Sequence, residues 1–327
     1  MDVDVDVDVE EVDMEIDTEL LAVRVAELYY DENRTQDEIG EIVGITRWKV
    51  GRLLARAREL GIVRIEIVHP RARRLGLERR LSARFGLADA IVVPLAASPG
   101  DLASRVTQAA ADYLTALRPV PQVLGVSWGR TLSGVADHLA AGWASGVTVV
   151  QINGGVSLNQ RPGTAANTTA TIAQKASGQA TLLPSPAILE RRETKLAIES
   201  DRTVAGVLEL AAGASAYLFS AGVADASSVH VDSGYLTAAE VEELVRRGAV
   251  GDVLGRYIDA DGDIVDPALD ERTVGLGLDQ LRAANTAIFV AAGDDKHAIA
   301  RAVVTSGLCS VIVTDEGTAL ALVEEEQ

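Results

Sequence analysis

Thr46, Arg47, Trp48, Lys49, Arg52, Arg56 and Arg58 line the outward face of one helical stretch. That mixture suits duplex DNA: arginine pairs bidentately with guanine in the major groove, and the other cations neutralise phosphates. Trp48 fits two roles, packing residue or groove contact. Thr35 and Gln36, at the start of the preceding helix, join the DNA-facing set. A second group of residues points to a small ligand. Ser127-Trp128-Gly129-Arg130-Thr131 follows the apolar run VLGV and leads into a helical pattern; a strand, a small polar loop and a helix amino terminus offer free backbone amides to an anion. Arg130 adds a forked cation there, and Ser127 and Thr131 add hydroxyls. An ordinary capped turn between strand and helix explains the same residues. Asn153-Gly154-Gly155 follows another apolar run and permits close backbone approach. Asp252, between glycines in GAVGDVLG, suits sugar hydroxyls, and Lys296, in AAGDDKHAIARA, suits a phosphate.

Helical periodicity positions the first set. Leu20, Leu21, Val23, Val25 and Leu28 predict a helix from Thr18 to Tyr30. Thr35 then precedes Gln36-Asp37-Glu38, a cap followed by acids that favour a helix amino terminus. Ile39, Gly40, Gly44, Ile45, Val50 and Leu53 fall where a helix-turn-helix needs apolar, small, glycine and apolar residues. Ile62 to Val68 alternates with charged Arg64 and Glu66 and predicts a short strand, a wing or strut.

From Arg71 to Phe85 another helical pattern predicts a connector helix, with the domain boundary near residues 68 to 88. Beyond it, short apolar runs alternate with Ala-rich helical stretches: Ala90 to Pro94, Val123 to Val126, Val147 to Ile152, Ala216 to Phe219, Ala287 to Ala291 and Val311 to Thr314. Such alternation predicts a parallel sheet flanked by helices, whose strand ends gather the loops named above. The expected organisation is an acidic, solvated tail over 1–17, a small DNA-binding domain over 18–68, a connector over 69–88 and an α/β effector and oligomerisation domain over 89–327.

The chain has 327 residues and a net charge of −18, a sum that by itself argues against a nucleic-acid partner. The distribution reverses that conclusion, because residues 46–84 carry 12 arginines and lysines against three acids. A single cysteine, Cys309, excludes an internal disulfide, and four histidines leave little material for zinc. No uncharged apolar window is long enough to span a membrane. The expected location is the cytoplasm, with no membrane partner and no cofactor.

With GVSWGRTL, VVQINGG, NTTATIAQKASGQATLLPSPAI, RRGAVGDVLGRYIDADG, GLGLDQL, AAGDDKHAIARA and VIVTDEGTALAL following the helix-turn-helix in order, the chain from residue 18 onward resembles the SorC family of bacterial transcriptional regulators. The resemblance implies a Rossmann-like effector domain related in fold to sugar-phosphate isomerases and deaminases, with a winged-helix-like DNA-binding segment. It implies dimers or tetramers on inverted-repeat operator DNA, repressing or activating genes of carbohydrate metabolism in response to a sugar, polyol or sugar phosphate. The family's phosphate loop falls on Ser127, Trp128, Gly129, Arg130 and Thr131, and its second loop on Asn153 and Gly154. Its acidic position falls on Asp252 and its late lysine on Lys296. Asn167 and Lys175 also match positions near the ligand, and Lys175 suits an imine with an open-chain aldose as well as a surface role. Trp128 and Arg130 depart from the small residues common in the first loop, which favours an unphosphorylated ligand. Gly51 departs from the usual small hydroxyl residue of the recognition helix.

Two other classes compete. A sugar-phosphate isomerase or deaminase would use Asp252 in acid–base work, but His69, His138 and His230 fall outside the loop motifs, and His297 begins a helix. That reading also leaves the DNA-binding segment without a role. A sigma-like promoter factor leaves the larger domain without one. The expected protein is therefore a regulator and not an enzyme.

Overall fold

Amphipathic spacing builds the first of two units, which divide between residues 68 and 69 in the computed structural model. The structure describes residues 9–63, 73–155, 164–226 and 228–324. Helix α1 (Val9–Tyr30), α2 (Gln36–Val43) and α3 (Arg47–Glu59) bury Ala22, Val25, Leu28, Ile39, Val50, Leu53, Leu54 and Ala57 together. Thr35 caps α2 in a reciprocal box with Glu38, whose carboxyl is held below the usual range by the Thr35 amide and hydroxyl. Thr46 caps α3. Gly44 ends α2 in the left-handed region at φ 73°. At Gly40 a Cβ would come 2.7 Å from the Ile45 carbonyl oxygen, so the turn closes against backbone. Helix α1 begins at Val9, which places part of the expected acidic tail within a helix. The strand expected over Ile62 to Val68 lies mostly outside the described residues; Ile62 and Val63 themselves form a bend.

The second unit starts with α4 (Leu75–Phe85), β1 (Asp89–Val93), α5 (Pro99–Ala116), β2 (Val123–Val126), α6 (Arg130–His138), β3 (Thr148–Gln151), α7 (Thr164–Lys175) and β4 (Gln179–Thr181). It continues with α8 (Arg192–Glu199), α9 (Arg202–Ala212), β5 (Ala216–Phe219), β6 (Ala221–Gly222), α10 (Val229–Asp232), α11 (Ala238–Arg246), β7 (Gly251–Val253) and β8 (Arg256–Ile258). It closes with α12 (Pro267–Asp270), α13 (Leu278–Arg282), β9 (Ala287–Val290), α14 (His297–Thr305), β10 (Val311–Asp315) and α15 (Glu316–Val323).

Seven strands form one parallel sheet in the order β1-β10-β9-β5-β2-β3-β4. Strict alternation sends Ile91, Val93, Val311 and Val313 to the face covered by α5, α6 and α7. Ala90, Val92 and Ile312 go to the face covered by α4, α9, α14 and α15. Both faces are thus dry, as an all-parallel sheet requires. The six expected strands are all present, and β4 is an addition. Helix α4 lies within the second unit. Its Leu81 enters the second unit's core and its buried Glu78 accepts from the Val92 amide and from Arg73.

Beyond β2 the chain proceeds outward to β3 and β4, whereas beyond β5 it proceeds the other way, to β9 and β10. The direction of winding thus reverses between β2 and β5, and open α/β sheets hold ligands at the carboxyl ends of strands at such a point. A separate antiparallel sheet, β6-β7-β8, follows directly from β5.

Gly40→Ala is expected to destabilise the first unit by about 1–3 kcal/mol, because the backbone it strikes cannot move aside cheaply. Amide hydrogen exchange in the full chain checks this: protection across 36–59 falls in the variant while protection of the sheet is kept.

Candidate functional site

Burial of Val50, Leu53, Leu54 and Ala57 leaves Arg47, Trp48, Lys49, Arg52 and Arg56 exposed on α3. Arg47 lies 3.3 Å from Asp37 of α2, and Arg56 lies 3.5 Å from Glu59. The Arg52 guanidinium stacks 4.8 Å from the Trp48 ring centre. Trp48 is 74% exposed and absent from the buried cluster, which resolves its two roles against packing. Thr35 spends its hydroxyl on the α2 cap. Gln36 is half-buried beside Gly51, where a Cβ would meet its Oε1 at 3.5 Å. The absent side chain at Gly51 therefore leaves room between the two helices.

The other group meets at the sheet's carboxyl edge. Ser127 is buried and its amide donates to the Leu218 carbonyl, 3.1 Å away. The Trp128 indole donates to the Gly154 carbonyl at 2.8 Å, so the first two loops are tied by a hydrogen bond. Gly154 admits nothing larger: a Cβ there would stand 2.1 Å from the Pro186 oxygen. Asn153 is buried and bridges to Gly275, and its Oδ1 is buried without a hydrogen-bond partner among the described residues. Arg130 opens α6 and is exposed, Gly129 is its cap residue, and Thr131 is half-buried behind it.

Asp252 lies on β7, 6% exposed. Its Oδ2 accepts from the Gly255 amide at 3.0 Å. Its Oδ1 is buried with no hydrogen-bond partner among the described residues, 3.9 Å from His230 Nδ1. Lys296 donates to the Ala221 carbonyl at 2.9 Å. Burial holds its ammonium below the usual lysine range; repulsion from Arg130 adds to this, while Asp295, Asp252 and Asp225 act the other way. The charges of Arg130, at the start of α6, and of Asp252, on β7, both act on Lys296.

Two expected members do not join them. Asn167 is exposed on α7 and makes none of these contacts. The Lys175 ammonium donates to the Ala136 and Asp137 carbonyls, both at 2.8 Å. It therefore caps the carboxyl end of α6, about 10 Å of helix from Arg130, and that position corrects its assignment to the ligand and to an imine. His297 stands 3.6 Å from Asp294 at the start of α14, as expected of a helix-end residue.

Four supporting groups give weaker signals in the sequence. Gln151 is buried at the end of β3 and donates to the Asn153 carbonyl at 2.7 Å; an isolated amide in an apolar strand is its signal. His230 and Tyr257 are buried together, Nδ1 to hydroxyl 3.2 Å, beside Asp252. Burial first, then the Asp252 charge, pushes the Tyr257 hydroxyl above its ordinary range. Arg256 is buried against Asp270, 2.7 Å from Nε to Oδ1. A cavity of about 260 Å³ among Leu236, Leu244, Leu269, Glu240 and Arg272 contains none of these residues.

The arrangement can accept hydrogen bonds from hydroxyls at Asp252 and Asn153 and attract an anion at Arg130 and Lys296. Cys309 is buried with its thiol pushed up to about 12, which removes it as a nucleophile. Among the described residues no cluster of three or more His, Cys, Asp or Glu suits a metal, and no helix is long and apolar enough to cross a membrane.

The family model described as "Putative sugar-binding domain" matches residues 69–324. The deoxyribonucleoside regulator of Bacillus subtilis is 30% identical over 314 residues, 95% of this chain and 100% of that protein. The sorbitol operon regulator of Klebsiella pneumoniae is 29% identical over 93% of this chain and 98% of its own length. The crystal structure of the full-length sorbitol operon regulator SorC from Klebsiella pneumoniae superposes with a TM-score of 0.71 at 28% identity, covering 93% of this chain and 98% of that one.

Lys175→Met is expected to lower stability by about 1–2 kcal/mol, since two charge-assisted bonds at a helix end disappear, while any ligand-induced rise in melting temperature persists undiminished. Thermal melting with and without ligand measures both; disappearance of the ligand response in the variant would restore Lys175 to the site.

Proposed function

Because the chain belongs to the SorC family of sugar-binding transcriptional regulators, and is a regulator of that kind, we propose that α2 and α3 form a DNA-binding helix-turn-helix whose operator affinity is set by a ligand at the sheet's carboxyl edge. The ligand is a sugar, polyol or sugar phosphate. The observation that carries this reading is that Asn153 Oδ1 and Asp252 Oδ1 are both buried without a hydrogen-bond partner among the described residues. Leaving a buried acceptor unmet costs about 1–3 kcal/mol, and a polyhydroxylated ligand offsets that cost through its O–H donors. Arg130, Lys296, Ser127, Trp128, Gly129, Thr131 and Gly154 complete the proposed pocket. Thr35, Gln36, Thr46, Arg47, Trp48, Lys49, Arg52 and Arg56 form the proposed DNA face.

Regulation follows from linkage. A ligand that binds one arrangement of a homodimer or tetramer more tightly shifts the population toward it, and a coupling of about 1–3 kcal/mol changes operator affinity about 5- to 150-fold. Two-fold symmetry makes the operator an inverted repeat. The site binds and releases its ligand unchanged. The protein works in the cytoplasm, where operator and metabolite meet.

Melting of the full chain against sugars, polyols and their phosphates is expected to give one class of stabilising ligand, about 2.7 kcal/mol at 100 times the dissociation constant. Asp252→Asn abolishes that stabilisation, and Arg130→Ala abolishes only the preference for a phosphate. Retention of full stabilisation by Asp252→Asn would refute the pocket. Alanine at Arg47, Lys49 and Arg52 together is expected to weaken binding to the chain's own upstream DNA and to reduce the salt slope by about one unit for each phosphate that is no longer neutralised. An unchanged slope and affinity would move the DNA face elsewhere.

A further inference from the structure

Trp48 is the most exposed large apolar side chain among the described residues, at 74%, and it sits on the most cationic helix face of the chain. The first unit's core is complete without it. Its only ring contact among the described residues is Arg52, one helical turn on, with the guanidinium 4.8 Å from the ring centre. Arg47 pairs with Asp37 at 3.3 Å. An indole held in this way presents one face to a cation and leaves its opposite face and edge free. The surrounding charge fits DNA, and the only apolar group that the major groove offers is the C5-methyl of thymine.

We propose that Trp48 is a specificity-determining residue that packs its free face on a thymine methyl in each half-site, with Arg52 fixing the ring's orientation. The inference rests on the DNA-binding reading of α3 and adds to it the base class read at one position. A cation alone counts phosphates and is indifferent to the methyl; an apolar ring discriminates thymine from uracil, which differ by that group alone. Trp48 thereby supplies a base contact at the end of α3 where Gly51 supplies no side chain.

The test selects duplexes from a randomised library with the full-length protein and resynthesises the selected duplex with deoxyuridine in place of thymidine. The expected result is a fixed thymine in each half-site and an affinity about fourfold weaker for each methyl removed, the worth of one buried methyl group. Trp48→Ala is expected to weaken affinity by a similar factor, to bind thymidine and deoxyuridine duplexes equally, and to keep the wild-type salt slope and melting temperature. Equal binding of both duplexes by the wild-type chain overturns the proposal, as does unchanged uracil sensitivity in Trp48→Ala. If the wild-type chain retains no duplex at all, the DNA-binding reading itself fails, and the two failures are distinguishable.

Discussion

A guanidinium buried away from water must be surrounded by acceptors or it does not stay charged and folded. Arg256 meets that demand with Asp270 at 2.7 Å and with the carbonyls of Leu254, Thr273 and Gly275 at 3.3 to 3.5 Å. Desolvation presses its pKa downward, and Asp270 and Glu199 oppose that. Its partners lead directly to the candidate pocket's wall. Leu254 belongs to the turn whose Gly255 amide binds Asp252, and Gly275 bridges to Asn153. One side chain is therefore tied both to the turn that holds Asp252 and to the residue that bridges to Asn153. The short β6-β7-β8 sheet buries Ala221, Val253, Tyr257 and Ile258, and Arg256 adds a polar tie within it.

What can be read from the residues follows the same division between apolar and polar forces. Continuous apolar, β-branched runs declare β1, β2, β3, β5, β9 and β10, because a strand buried on both faces must be apolar throughout. Gln179-Ala180-Thr181 gives no such signal: it is an edge with little burial, so its pairing to β3 rests on backbone bonds that carry no composition. The short antiparallel sheet is silent for a different reason: its strands are two or three residues long and include Gly222, Gly251, Asp252 and Arg256, which break any apolar run. Val9–Asp17 misleads in the opposite direction, since like charges argue for a solvated tail and the helix begins there regardless.

The site is legible where chemistry depends on the order strand, loop, helix, and illegible where it depends on helical register. Ser127 to Thr131, Asn153, Asp252 and Lys296 all follow strands or lie on one, so topology alone brings them to the same edge. Lys175 sits on a helix, where one end faces the pocket and the other faces away. Its identity as a lysine serves an anion or a helix carboxyl terminus equally well, and only the fold reveals that it caps α6. Arg256 and His230 are invisible because a buried polar residue reveals itself only through partners distant in sequence.

Electrostatics narrows the proposed ligand further. Asp252 and Asn153 present acceptor oxygens, which repel a phosphate and welcome hydroxyl donors, whereas Arg130 and Lys296 attract an anion. Lys296 is already bound to the Ala221 carbonyl and depressed by burial, so it is less free to follow a ligand than Arg130, which is exposed. A charge-assisted bond is worth about twice a neutral one when water is excluded, yet an exposed arginine retains its hydration and gains much less from pairing. In the proposed pocket the buried acceptors would therefore decide which ligands enter, through their unmet bonds, and Arg130 would adjust the preference among them. On that argument the hydroxyl pattern sets specificity, and a phosphate is an addition that the loop tolerates instead of a group it requires.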